Sequence, residues 1–354
     1  HVKMWSSRKR RLLSKLLPLT LTGTLYLASD IHLGPSIMRT NQAFYRFLKE
    51  AEAKADALIL PGDIFNVWFG DDVALRHPQP WLAEALEAFR ACANQIPVYF
   101  IHGNRDFLIG QELCQSLGVQ LLPAETLIRS DAGLLYICHG DEFCTDDERY
   151  MALRRQLRTP RNQALFLSLP RTVRQAIARY ARYMSQRSQR KVAAAKQNQE
   201  AKIAQGSARS HAQDLVANKL DMTEADSRHL QTDLQTAAPV DEVNDNVNKA
   251  AHLQAGVSDI ANLYYDVNEA AIEQALLAVQ AKLGELPTLM IHGHTHKPAL
   301  HQLPTLGIPR IVLPDWDLDH APQQPRAGFL KIEKKSVSLL PWENDTITPI
   351  YLSL

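Results

Sequence analysis

The chain holds 354 residues, with 39 Lys and Arg against 38 Asp and Glu, and so even a balance argues neither for a nucleic-acid binder nor for a protein built around acidic partners. With 45% hydrophobic residues it can bury a large core, which excludes a disordered chain, and its length suits one main domain with additions. No run approaches the roughly 18 apolar residues that span a bilayer, and Cys92, Cys114, Cys138 and Cys144 show no zinc-type pairing, so a reducing, cytoplasmic setting is expected.

Residues 1–23 read as a basic N-terminal extension. Its stretch 5–21 is basic and then leucine-rich, which predicts a disordered tail, with a membrane-surface anchor as the alternative. An apolar, β-branched run at 24–29 predicts the first core strand, and Asp30-x-His32 follows it at once. Over 42–55, Phe44, Phe47, Leu48 and Ala51 fall at helical spacing and predict a crossover helix. A strand at 57–60 leads to Gly62-Asp63, a second helix covers 81–95, and a strand at 98–102 leads to Gly103-Asn104-Arg105-Asp106. The strand at 134–139 delivers His139.

Between residues 149 and 196 the composition changes: thirteen Lys or Arg occur and no Asp or Glu. Val173, Ile177, Tyr180 and Met184 recur there at helical spacing, so residues 146–199 are expected to form a basic helical cap with one apolar stripe. Its charge reads as a surface for phosphate or anionic lipid, the plainer alternative being a solvated helix face. Residues 200–261, rich in Ala, Asn, Gln, Asp and Ser, read as a low-complexity polar insert without chemistry. The core, 24–145, resumes at 262–354 with strands at 289–292, 310–313 and 328–340, the first of them ending in Gly293-His294-Thr295-His296. Strands alternating with helices predict an α/β fold.

Each of the five polar clusters follows an apolar run, and in open α/β sheets the ligand crevice lies outside the carboxyl ends of the strands. Any one alone would pass for a core histidine or an Asp-Gly turn. Five together predict a shared site. Asp, His and Asn are hard and borderline donors suited to Mn, Fe, Zn or Mg, and no thiolate set for a structural zinc is present. Asp63 is the candidate for a carboxylate shared between two cations about 3.5–4 Å apart, the spacing at which a water held between them can attack phosphorus in line.

The order D-x-H, G-D, G-N-x-[DE], H-G, G-H-T-H resembles the calcineurin-like metallophosphoesterase signature. That resemblance implies an α/β/β/α sandwich and two divalent metal ions, one held by Asp30, His32, Asp63 and His296 and the other by Asp63, Asn104, His139 and His294. Where the family commonly has a histidine proton donor, this chain has Arg105. Arginine is a permanent cation, unsuited to general acid catalysis but able to clamp phosphoryl charge. A phosphate expelled from a pyrophosphate needs no proton, so the substitution predicts a diphosphate substrate.

Trp68-Phe-Gly-Asp-Asp72, Phe100-Ile-His-Gly-Asn-Arg-Asp-Phe-Leu108, His139-Gly-Asp, Cys144-Thr-Asp-Asp147 and Ile291-His-Gly-His-Thr-His-Lys-Pro298 further resemble the family of UDP-2,3-diacylglucosamine diphosphatases, over most of residues 24–316. This resemblance implies cleavage of a UDP-linked diacylated sugar lipid to UMP and 2,3-diacylglucosamine 1-phosphate in lipid A biosynthesis. It also implies manganese as the metal and a peripheral place on the cytoplasmic face of a Gram-negative inner membrane. It sets Asn104, Arg105, Asp147, Tyr150, Ser185 and His294 around the substrate, with Asp63, Asn104, Arg105 and His294 closest to the chemistry. Gln189 stands where the family has Asn and Val192 where it has Lys, with Lys191 or Lys196 as substitutes; Pro314 replaces a common glycine. Within the cap, Leu165-Phe-Leu-Ser-Leu169 is read as accepting acyl chains, as packing the cap onto the core, or both. The rival readings are a dinuclear phosphoesterase acting on a nucleotide or phosphoprotein, and a catalytically dead binding module.

Overall fold

The computed structural model describes residues 17–177, 267–320, 323–343 and 346–354. Within them the apolar runs build two sheets. One has the spatial order β1 (Leu19–Thr20), β6 (Glu125–Ser130), β7 (Gly133–Cys138), β8 (Leu289–His292), β10 (Pro309–Val312), β9 (Ala299–Gln302). The other runs β13 (Ile350–Ser353), β12 (Ser336–Pro341), β11 (Gly328–Glu333), β2 (Leu25–Leu27), β3 (Ala57–Pro61), β4 (Val98–Ile101), β5 (Gln120–Leu121). Strands β2 to β5 are mutually parallel, as are β7, β8 and β10.

Side chains alternate along a strand, and here both faces are buried. Leu25, Leu27, Ala57, Ile59, Tyr99 and Ile101 point to the same core as Ile128, Leu135, Ile137, Leu289, Ile291 and Ile311 of the other sheet, so this cluster lies between the sheets. Tyr26, Leu58, Leu60, Val98 and Phe100 point the opposite way, onto α1 (Met38–Lys54), α3 (Pro80–Ala93) and α4 (Gln111–Leu117). The outer face of the first sheet, with Leu134, Tyr136 and Met290, is covered by Ile272, Ala275, Leu276 and Val279 of α7 (Glu269–Leu283). The layers are therefore α/β/β/α. A short α2 (Asp72–Leu75) lies on the loop after β3. Among the described residues no helix is long and apolar enough to cross a membrane.

Two expectations are corrected by the pairing. The run 328–340 is a hairpin rather than one strand, because the charged Glu333-Lys334-Lys335 turns the chain and Lys334 takes a left-handed φ of 54°. Part of the N-terminal extension belongs to the core: Leu19 and Thr20 pair with Ile128 and Arg129, and Leu19 and Leu21 pack against the inter-sheet cluster.

The described part of the cap comprises α5 (Glu148–Leu157), α6 (Pro160–Leu167) and helical residues 171–177. Asp147 caps α5 by accepting from the Tyr150 amide, and Thr159 caps α6 ahead of Pro160. The basic charge is only partly a surface. Arg154 and Arg158 turn inward onto Asp141, and Arg174, 4% exposed, pairs with Asp72 and donates to the Phe69 carbonyl. Leu165, Leu167, Val173 and Ile177 are exposed. Tyr180, Met184, Ser185, Gln189, Lys191, Val192, Lys196 and the 200–261 insert lie outside the described residues.

Phe47 of α1 ties the helix layer to its sheet. Its ring meets Tyr26, Phe44, Phe329, Trp316 and Trp342 at centroid distances of 5.2–6.2 Å. Phe47→Ala removes all five ring contacts of a fully buried side chain, and is expected to cost about 3–5 kcal/mol, read as a lower urea midpoint at unchanged slope.

Candidate metal centre

Among the described residues seven non-glycines have positive φ, and five of them are Asp30, His32, Asp63, His294 and His296, at 52–67°. The left-handed region costs an L-residue roughly 1–2 kcal/mol, so its concentration on the residues singled out from sequence marks a functional centre. Each turn directly follows a strand, which fixes its origin: β2 leads to Asp30, β3 to Asp63, β4 to Asn104, β7 to His139 and β8 to His294. The turns also crowd one another. A Cβ on Gly103 would overlap the backbone and carboxylate of Asp63, and one on Gly293 would overlap Asp30 and Ser29, so only glycine serves at either place.

The five turns converge. Ligand atoms of Asp30, His32 and His296 lie within 4.8 Å of one another, and so do those of Asp30, Asp63 and His139. In the first cluster His32 Nε2 is 3.3 Å from His296 Nε2, which is 3.3 Å from Asp30 Oδ1. In the second, His139 Nε2 is 3.0 Å from Asn104 Oδ1 and 3.6 Å from Asp63 Oδ1, and the rings of His139 and His294 are 5.1 Å apart. Asp63 joins the clusters, its other oxygen 3.8 Å from His32 Nδ1.

The donors fit divalent cations. Asp30 Oδ1, His32 Nδ1 and His294 Nε2 are buried polar atoms without a hydrogen-bond partner, a costly state unless a ligand meets them. Burial, with Arg105 next in weight, holds His32 well below the usual histidine range, and burial with the nearby His139 brings His294 down to about 3. Both therefore offer lone pairs. Burial also opposes charge on His139, but Asp63, Asp30, Asp141 and Glu142 outweigh it and raise it to about 9, so a cation arriving there displaces a proton.

Neighbouring groups aim the donors. Ser29 Oγ and the His294 amide donate to Asp30 Oδ2 at 2.6 and 3.0 Å. The Pro61 carbonyl, 3.1 Å from His139 Nδ1, selects the Nδ1–H tautomer and leaves Nε2 facing the cluster. Asp106 accepts from the amides of Gly103, Ile64 and Phe65, tying the turn after β4 to that after β3. Asp315 escaped the sequence reading: it is buried 3.5 Å from His296 Nδ1 and held by Arg326 at 2.8 Å. Its signal is present in the sequence, since it follows the apolar run 310–313 as the other acids follow theirs.

Arg105 is fastened beside the centre. Its amide donates to Asp63 Oδ1 at 2.9 Å, its Nε is 3.3 Å from Asp63 Oδ2, and its Nη1 donates to Asn66 Oδ1 at 2.8 Å, with 36% of the side chain exposed. Tyr150 stacks beside His294 at 6.4 Å. Asp147 is engaged as a helix cap, while Ser185 and Gln189 fall outside the described residues.

The family described as calcineurin-like phosphoesterase matches residues 23–188. A protein named UDP-2,3-diacylglucosamine hydrolase from Bordetella parapertussis is 39% identical over 318 residues, covering 89% of this chain and 94% of its own. Proteins of the same name from Serratia proteamaculans and Stenotrophomonas maltophilia are 30% and 33% identical, covering 90% and 83% of this chain and 98% and 90% of theirs. At up to 39% identity over most of its length, the chain belongs to the UDP-2,3-diacylglucosamine hydrolase family of calcineurin-like phosphoesterases.

Proposed function

We propose that the chain hydrolyses the pyrophosphate bond of UDP-2,3-diacylglucosamine, yielding UMP and 2,3-diacylglucosamine 1-phosphate, with two manganese ions and at the cytoplasmic surface of an inner membrane. The observation that carries the reading is the junction of Asp63 and Arg105: a carboxylate between two ligand clusters, with a guanidinium 3.3 Å away. Asp30, His32, Asp63 and His296 would hold one ion and Asp63, Asn104, His139 and His294 the other. When bound, such a pair supplies Lewis acidity and an activated water at neutral pH.

The residues of the chain do the rest. Arg105 and His294 meet the diphosphate, and the guanidinium stabilises charge as the P–O–P bond breaks. As the oxygen of a water bonds to one phosphorus and its proton passes to solvent, the other phosphate departs with the bonding electron pair and takes no proton, so the lack of a histidine donor is no handicap. Tyr150 offers its ring, because its hydroxyl donates to Asp141 at 2.8 Å. Asp147, Ser185 and Gln189 orient the sugar and uridine parts. The exposed Leu165, Leu167, Val173 and Ile177 suit acyl chains or a lipid surface. In this reading 24–145 and 262–354, with Leu19 to Leu21 added, form the catalytic core, 146–199 the cap and 200–261 an insert without chemistry.

Manganese-loaded protein is expected to turn over UDP-2,3-diacylglucosamine and to leave UDP-glucosamine lacking acyl chains nearly untouched; equal kcat/KM for both would reject the lipid substrate. Asp63→Ala is expected to lose both metals and all measurable turnover, whereas two manganese ions per chain in that variant, by elemental analysis, would refute the shared carboxylate. Arg105→Ala is expected to keep both metals and lose about 10²–10³ in kcat, as removal of a preorganised charge-stabilising donor does.

A further inference from the structure

Asp141 lies two residues beyond His139, completely buried, and three groups of the cap converge on its carboxylate. The Tyr150 hydroxyl donates to Oδ2 at 2.8 Å. Arg154 donates through Nε to Oδ2 at 2.7 Å and through Nη2 to Oδ1 at 3.3 Å, and Arg158 Nη2 donates to Oδ2 at 3.2 Å. The adjacent Glu142 takes another hydrogen bond from Arg154 Nη2 at 2.8 Å and accepts from the Gly140 amide at 3.0 Å.

These donors reach further than the acid that gathers them. Arg158 Nη2 also donates to the Gly103 carbonyl at 2.8 Å, one residue from Asn104. The Tyr150 ring lies against that of His294 at an interplanar angle of 29°. His139 is joined to Asp141 through Gly140, whose left-handed φ of 118° is steadied by Glu142. One carboxylate thus connects to three separate turns, those carrying Asn104, His139 and His294. Among the described residues, no hydrogen bond links it to Asp30, His32 or His296.

We infer that Asp141 is a positioning residue for one of the two metal sites: through Arg158, Arg154 and Tyr150 it sets the mutual placement of Asn104, His139 and His294, and the first cap helix completes that site rather than merely roofing it. The proposal rests on the two-metal reading above. It follows from the charge as well as the geometry. An asparagine of the same size would present an amide N–H₂ to donors that need an acceptor, so at least one of Tyr150, Arg154 and Arg158 would lose its anchor.

The test is a manganese titration of the full chain, followed by elemental analysis and by the electron paramagnetic resonance of coupled Mn²⁺ pairs. Parent protein is expected to bind two ions. Asp141→Asn is expected to bind one at parental affinity and the second about 10- to 100-fold more weakly, as loss of an outer partner of a ligand does, with the coupled spectrum replaced by that of isolated Mn²⁺. Arg158→Met, which frees the Gly103 carbonyl without leaving Asp141 unpaired, is expected to show the same loss on a smaller scale and keeps the test open if Asp141→Asn does not fold. Two ions at parental affinity in the folded variants would overturn the inference, as would equal weakening of both ions. A parent chain that binds a single ion would instead bring down the two-metal reading, and the inference with it.

Discussion

Asp30 and Asp63 are both buried, with ligand atoms within 4.8 Å of each other and of His139. Two carboxylates so close and so dry repel each other, and neither can keep its charge without cations or strong donors nearby. Burial, with the charge of Asp30 adding to it, pushes Asp63 upward, while His296 and the other histidines more than offset the burial of Asp30 and hold it well below the usual carboxylate range. The imidazoles of His139 and His296, Arg105, and the amides of Arg105 and His294 are the answer to that repulsion. The layers around them serve to keep the arrangement from relaxing.

That rigidity has a visible source. Left-handed turns at five ligand positions would open in a loose loop, but here each follows a strand buried on both faces and locked by an inter-sheet core. Gly103 and Gly293 let neighbouring turns approach to a separation that any side chain would forbid. Strained turns on stiff strands are a form of preorganisation: the donors are held in place before a ligand arrives, so little ordering remains to be done when it binds.

Much of this could be read in the sequence, for a physical reason. Parallel strands buried on both faces are near-continuous apolar runs, so their ends, and the polar residues just past them, are plain to see. The strand ends that carry Asp30, His32, Asp63, Asn104, His139, His294 and His296 are legible in this way, and so are the helices built around Phe44 and Leu86. What stayed hidden depends on three dimensions. The turn within 328–340 is marked only by three charged residues. Asp315 and Asp141 draw their importance from partners at His296, Arg326, Arg154 and Arg158 that no spacing rule connects. The cap arginines illustrate the limit of composition: a count of charges cannot say that Arg154, Arg158 and Arg174 face inward toward acids.

The pairing of β7 with β8 bears on how the chain reaches this state. Leu135 lies opposite Leu289, and the neighbouring contact of Thr288 with Leu134 joins residues 154 apart in sequence. Closing so long a span grows costlier only logarithmically with length, about 0.6 kcal/mol for each doubling, so extra chain between these strands is cheap thermodynamically. Kinetically it is not, because non-local parallel pairing is slow. During synthesis the half-sheet ending in β7 must wait for β8 to emerge, its apolar edge uncovered, and His139 meets His294 only when that seam closes. The turns of His139 and His294 are therefore brought together only once β7 and β8 have paired.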